Sequence, residues 1–340
     1  MKAALIDRYG SSEVVRVGDI AVPTAGDSDV LVRVHAASVN PIDFKTRSGK
    51  LRTLVRYRFP LVLGNDLAGV VSDVGTRVTR FKKGDAVYAR VDADRIGTFA
   101  EFIAVRESAV AMKPTNLTFE EAASLPLVSL TAWQALVEIG GMRANQRVLI
   151  HAGSGGVGSM AIQLARHIGA TIFTTVGQRN ADLVRRLGAD IAIDYRGERF
   201  EEIARDCDVV LDSAGGDTLV RSFECVKPGG VVVSINSSLP SARFARDWGL
   251  NPILVLAIKA LSRRATMAAR AHSARYEYLF VRADGRQLEE ITRLVEIGAL
   301  KPVIDRRYPL ERVRDALQYS ESGRATGKVV IAITEIPPSA

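Results

Sequence analysis

The stretch Val148-Leu149-Ile150-His151-Ala152-Gly153-Ser154-Gly155-Gly156-Val157-Gly158 decides the fold of this 340-residue chain. A short apolar run leads into Gly153, Gly155 and Gly158, which satisfy G-x-G-x-x-G, and a helical pattern follows through residues 160–168. The first glycine permits a tight turn, and the second lets the backbone approach a pyrophosphate. The third lets helix and strand pack closely, leaving the phosphates at the helix N-terminus. Gly153, Ser154, Gly155, Gly156, Val157 and Gly158 are therefore the expected dinucleotide cradle.

The same rhythm continues downstream. Residues 171–176, 191–194, 208–212 and 231–235 read as short strands, and 181–187 as a helix. Strands alternating with helices imply βαβ units and a doubly wound parallel sheet. The end of the second strand bears on the choice of cofactor. An NAD site carries an Asp or Glu there for the ribose hydroxyls. Here the chain reads Thr174-Thr175-Val176-Gly177-Gln178-Arg179-Asn180, with no acid and one arginine. A carboxylate would repel a 2′-phosphate, whereas Arg179 can pair with it, so NADPH is expected.

Upstream, the first third has a different character. Residues 30–34 and 68–74 are β-rich, and Gly64, Gly69, Gly75, Gly84 and Gly97 punctuate the region, as in a β-rich, barrel-like domain. Thr118 and Glu121 form a capping box before the chain turns helical. Near the other end, 287–297 is an amphipathic helix and 328–333 a strand.

Composition limits the class. Hydrophobic residues make up 47% and charged residues 25%, which excludes a disordered or collagen-like chain, and the length suggests two domains. Cys207 and Cys225 are too few for a disulfide framework or a four-cysteine zinc lobe, so a cytoplasmic protein is expected. Asp7 and Arg8 interrupt any secretory h-region, and the apolar run 253–258 is far short of the ~20 residues of a membrane span. The net charge is +8, of which residues 241–275 hold +6. That segment reads first as a helix packed on the α/β domain with a solvated basic face. Covering a greasy substrate and attaching to a membrane surface are the alternatives. It lacks interleaved exposed aromatics and any nucleic-acid motif, so nucleic acid is not an expected partner.

Several motifs in one order then converge. They are Ser38-Val39-Asn40-Pro41-Ile42-Asp43, Pro60–Val71, Leu130-Thr131-Ala132-Trp133, His151–Gly158, Asp212-Ser213-Ala214-Gly215-Gly216 and Gly323–Val330. With them the chain resembles the medium-chain dehydrogenase/reductase superfamily, in its zinc-free quinone-oxidoreductase-like branch. The resemblance implies a GroES-like catalytic domain built from both ends of the chain (1–125 and 271–340). An NADP-binding Rossmann domain (126–270) is inserted between them, with 241–270 as a basic apolar insertion. The zinc-ligand positions of related alcohol dehydrogenases fall on Asn40, on Asn65 with Asp66, and near Leu127, so no metal is expected.

By the same resemblance Gly177, Arg179 and Tyr195 lie at the adenosine 2′-phosphate, although a lysine common in relatives is Ala181 here. Asn40, Thr131, Asn236, Phe280 and Val281 lie toward the nicotinamide, and Arg324 and Lys328 toward the cofactor cleft. Asn40 is the first candidate for orienting the reactants. The tyrosine of enoyl-thioester reductases is replaced by Lys50-Leu51, which leaves Tyr57 as the nearest alternative hydrogen-bond donor. The expected reaction is hydride transfer from NADPH to a quinone or α,β-unsaturated carbonyl without zinc, in a homodimer acting on a small lipophilic substrate. A zinc-free alcohol or enoyl-thioester reductase, or a weakly catalytic NADPH-binding protein that binds RNA or membrane, are the alternatives.

Overall fold

Strand β3 (Asp29–Val39) organises the first unit, because its alternate residues Val30, Val32, Val34 and Ala36 are fully buried. In the computed structural model, which describes residues 1–235, 244, 249 and 251–334, the chain separates into two units. One comprises Met1–Leu130 with Arg282–Ala340, the other Thr131–Val281.

The first unit holds β1 (Lys2–Ile6), β2 (Val15–Asp19), β3, β4 (Leu61–Val62), β5 (Asp66–Val74), β6 (Ala86–Arg90), β7 (Phe102–Arg106) and β8 (Val110–Met112). It also holds β15 (Ile304–Pro309) and β16 (Lys328–Ala332). The larger sheet runs β15-β16-β3-β5-β6-β8, with β7 also pairing β3, and β2-β1-β4 form a small second sheet. The two segments of this unit pair here: β16 lies antiparallel to β3, with Val329 opposite Val39 and Val330 opposite Ser38. One apolar cluster gathers Val30, Val32, Val34, Leu67, Val71, Val87 and Val105. Another joins Ala37, Val39, Leu63 and Phe99 to Leu310, Val313, Leu317, Val329 and Ile331 from the far end of the chain. This is the GroES-like sheet domain.

The second unit is a parallel sheet of β9 (Arg147–Ile150), β10 (Thr171–Val176), β11 (Ile191–Asp194), β12 (Cys207–Asp212), β13 (Val226–Ser234) and β14 (Arg275–Tyr278). Its order is β11-β10-β9-β12-β13-β14, the reversal on either side of β9 that makes a doubly wound Rossmann sheet. Strand β14 extends this sheet, pairing parallel with β13 from Val231↔Arg275 to Ser234↔Tyr278. The second unit, Thr131–Val281, thus takes in β14. Among the described residues no helix is long and apolar enough to cross a membrane.

Candidate active site

In the second unit the glycine loop has the geometry that its sequence demands. A Cβ on Gly153 would stand 2.1 Å from Thr174 Oγ1, and one on Gly158 would stand 2.4 Å from the Ala152 carbonyl oxygen and 2.7 Å from Gly153 Cα. Neither position tolerates a side chain, so strand and helix approach each other closely. Ala152 takes φ 53°, and Gly155 then caps the helix Gly156–Ile168. The N–H groups of Gly156, Val157 and Gly158 begin that helix and have no intrahelical acceptor, which is the arrangement that binds phosphate. Ser154 Oγ accepts a hydrogen bond from Asn180 Nδ2 at 3.1 Å, tying the loop to the turn after β10.

That turn brings three expected residues together. Gly177 caps the short helical turn Gln178–Asn180, which carries the exposed Arg179. A Cβ on Gly177 would lie 3.6 Å from the ring of the exposed Tyr195 and 3.8 Å from Arg196 Nη1. The Arg196 guanidinium sits 5.3 Å from the centroid of the Tyr195 ring. Arg196 was not among the residues expected from sequence, because it lies on a different βα connection from Arg179. Arg196 beside the Tyr195 ring and Arg179 on the turn that follows β10 put two cations at this end of the sheet. Elsewhere in this unit Thr131 is buried, while Phe280 and Val281 are half-buried, Phe280 packing 6.3 Å from Phe244 between ring centroids. Asn236 lies outside the described residues.

In the first unit, polar residues from five elements meet in the interior. The sheet register aligns Ser38 of β3, Asp66 of β5 and Arg90 of β6 in one row, and cross-strand neighbours share a face. Asp66 is fully buried. Its Oδ2 accepts from Ser38 Oγ at 2.9 Å and Asn40 Nδ2 at 2.8 Å, and its Oδ1 accepts from the Leu127 N–H at 2.8 Å. Lys328 Nζ lies 3.5 Å from the same carboxylate and donates to the Val39 carbonyl at 2.9 Å and to Asn40 Oδ1. Asp43 accepts from the Asn40 N–H at 2.7 Å and from Asn65 Nδ2 at 2.7 Å. The positions aligned with zinc ligands (Asn40, Asn65 with Asp66, and Leu127) thus lie in one hydrogen-bonded cluster, with an ammonium inside it.

Burial dominates the electrostatics of this cluster. It pushes the Asp43 carboxyl up to about 7 against the hydrogen bonds from Asn65 and Asn40, and it raises Asp66 against the pull of Lys328. It also lowers the Lys328 ammonium and the Arg90 guanidinium. Arg90 is 1% exposed; Nη1 donates to the Val91 carbonyl at 2.6 Å, but Nε and Nη2 have no hydrogen-bond partner among the described residues.

These contacts bear on the individual expectations. Asn40 is fully buried: its amide nitrogen serves Asp66 and, at 3.3 Å, the Ser38 carbonyl, while its oxygen faces Lys328. It starts the helix Pro41–Arg47 and orders its neighbours rather than presenting a free donor. Tyr57 donates to the Ala93 carbonyl at 2.6 Å, and burial pushes its phenol up to about 12, so its proton is held by the backbone. Lys328 is only 5% exposed, inside the cluster, whereas Arg324 is exposed on the turn before β16. Asp43 and Asp66 stand in the quoted motifs, yet nothing in their spacing announced that they share one buried network. Arg90 had no sequence signal at all.

A GroES-like sheet domain joined to a Rossmann domain with this glycine loop defines a dehydrogenase/reductase architecture. Residues 26–115 match the alcohol dehydrogenase GroES-like domain, and 187–331 match the zinc-binding dehydrogenase family. The bovine (Bos taurus) mitochondrial NAD(P)H oxidoreductase RTN4IP1 is 36% identical over 355 residues, covering 98% of this chain and 89% of the relative. The Arabidopsis thaliana chloroplastic NADPH-dependent alkenal/one oxidoreductase is 36% identical over 344 residues, covering 97% and 79%. The structure of the quinone oxidoreductase from Coxiella burnetii superposes with a TM-score of 0.85 at 32% identity, covering 98% of this chain and 99% of that one. The chain belongs to the medium-chain dehydrogenase/reductase superfamily, in its quinone-oxidoreductase-like branch, and is an oxidoreductase.

Proposed function

We propose that this protein reduces quinones or α,β-unsaturated carbonyls with NADPH and that zinc takes no part. The observation that carries this reading is the Lys328 ammonium set against Asn40 and Asp66 in the buried cluster. Structural and catalytic zinc sites are built from thiolates, imidazoles and carboxylates. Here the corresponding positions supply two amides, a leucine and one carboxylate already engaged by Ser38, Asn40, Leu127 and a lysine. A divalent ion placed there would face a fixed cation, so the donor set does not fit zinc despite the family's name.

The dinucleotide does fit. Side-chain-free Gly153 and Gly158, and the first-turn N–H groups of Gly156, Val157 and Gly158, would hold a pyrophosphate. Arg179 and Arg196, with no acid at the end of β10, favour a 2′-phosphate over a bare ribose. When bound, NADPH would supply a hydride. A conjugated carbonyl spreads the developing charge over an enolate or phenolate, so it needs less electrophilic help than a simple ketone, which normally requires a Lewis acid. Within the catalytic unit, Lys328 and Asp66 hold Asn40 and the start of the Pro41–Arg47 helix in one arrangement. Initial rates with NADPH and NADH against a panel of quinones, enones, aldehydes and simple ketones test the reading. NADPH-preferring reduction confined to the conjugated acceptors is expected; preference for NADH, or turnover of simple ketones alone, would refute it.

A further inference from the structure

Residues 252–271 form two consecutive helices, Pro252–Leu261 and Arg263–Ala271, which meet at the buried Ser262. The first is apolar almost all round. Ile258 is buried and Leu254 and Val255 are half-buried, and at helical spacing these three share one side. The opposite side consists of Ile253, Leu256, Ala257 and Ala260, all exposed, with Ile253 at 79% and Leu256 at 69%. Leu261, at 60%, flanks it. A helix that is apolar round its circumference belongs in an interior, yet half of this one faces outward.

The second helix adds charge to the same stretch. Arg263, Arg264, Met267 and Arg270 are exposed, while Ala265 and Ala269 are buried. With Lys259 the two helices carry four cations, and no Asp or Glu occurs between residues 251 and 274. Among the described residues the one ion pair there, Arg264 with Asp217 at 3.2 Å, joins side chains that are 76% and 80% exposed and contributes little.

We propose that this face docks on the surface of an anionic lipid bilayer. Among the described residues, ten large apolar side chains are exposed, and four of them (Ile253, Leu256, Leu261 and Met267) fall within this one stretch. A concentration of that kind marks an interaction surface. Its charge selects the partner. A second copy related by two-fold symmetry would set four cations against four, and interface cores are depleted in charge. An anionic bilayer answers both halves of the pattern, taking the leucines and isoleucine at the headgroup boundary while its phosphates meet the arginines. The proposal does not depend on which acceptor the enzyme reduces.

Co-sedimentation of the full-length protein with vesicles tests this. Binding to phosphatidylcholine vesicles that contain phosphatidylserine should exceed binding to pure phosphatidylcholine. Arg263→Glu with Arg270→Glu should weaken it by about tenfold or more, from the attraction of each basic residue to an anionic surface. Ile253→Glu with Leu256→Glu should weaken it comparably, and both pairs should leave the melting temperature and NADPH oxidation in solution unchanged. A Leu256→Trp variant should show a blue-shifted emission with the serine-containing vesicles. Equal binding to both kinds of vesicle, or none, would overturn the proposal. So would a dimer in sedimentation that Ile253→Glu with Leu256→Glu dissociates, or RNA binding that these substitutions abolish while vesicle binding survives.

Discussion

Replacing Lys328 with methionine puts the buried cluster to a quantitative test. The side chains of Lys328 and Asp66 are 6% and 0% exposed, and the ammonium stands 3.5 Å from the carboxylate. Methionine keeps roughly the length of the lysine stem but removes the cation, leaving Asp66 charged in an interior with only neutral donors. Breaking a buried pair by deleting one partner costs about 3–5 kcal/mol. For a unit of this size that corresponds to a fall in melting temperature on the order of 10 °C. The loss depends on pH in a stated direction. Burial already raises the folded-state Asp66 carboxyl, and without Lys328 it rises further. A group raised in the folded state contributes stability below that value and loses it as pH climbs, by about 1.4 kcal/mol per unit for one proton. The deficit of Lys328→Met should therefore be fullest at the alkaline end of the stable range and shrink as pH falls, as Asp66 takes up a proton in place of the ammonium. Urea unfolding of both proteins across that range measures it, followed by a probe in the first unit. A deficit below about 1 kcal/mol at pH 8, or one that is flat with pH, would refute the reasoning.

Other outcomes follow from the same geometry. Because the folded Asp43 carboxyl sits at about 7 and its unfolded value is lower, it contributes stability below pH 4 that is lost between there and pH 7; Asp43→Asn should flatten that slope in urea titrations. In Gly158→Ala the new Cβ meets backbone at 2.4 and 2.7 Å, so the loop must open. Fluorescence titration should show NADPH binding weakened by about tenfold or more, with the unfolding midpoint of the first unit unchanged. Arg179→Gln should raise the KM for NADPH about tenfold, the worth of one charge-assisted hydrogen bond, and leave that for NADH nearly unaltered. Equal effects on the two cofactors would remove Arg179 from the 2′-phosphate site.

Much of the α/β unit was legible from the residues because its signals are local. Strands 171–176 and 191–194 and the helix 181–187 appear where the alternation puts them, and Gly158 is confined by the backbone of Ala152 and Gly153. The long-range pairings left little trace. Strand β14 reads Arg-Tyr-Glu-Tyr, with no apolar run to announce a sixth strand, and it joins the sheet only because β13 offers an open edge. The catalytic unit shows the same limit. Asn40 and Asp66 are 26 residues apart, and Lys328 is 288 beyond Asn40, so the network exists only once β16 has paired with β3. Tyr57 looked like an available donor, but its phenol is held by the Ala93 carbonyl across a loop whose path the sequence does not reveal. Arg90 ends a strand that otherwise reads as apolar, and only the register with Asp66 gives its burial a reason.

Lys328 stands beside Asp66 and Asn40 in the buried cluster, and we propose that no metal takes part there. The most direct measurement pairs metal analysis with activity: NADPH-dependent reduction of a quinone or enone by protein dialysed against a strong chelator, with zinc content determined on the same sample. Metal well below one ion per chain and an unchanged specific activity are expected. Stoichiometric zinc whose removal abolishes turnover, and whose return restores it, would contradict a zinc-free reaction.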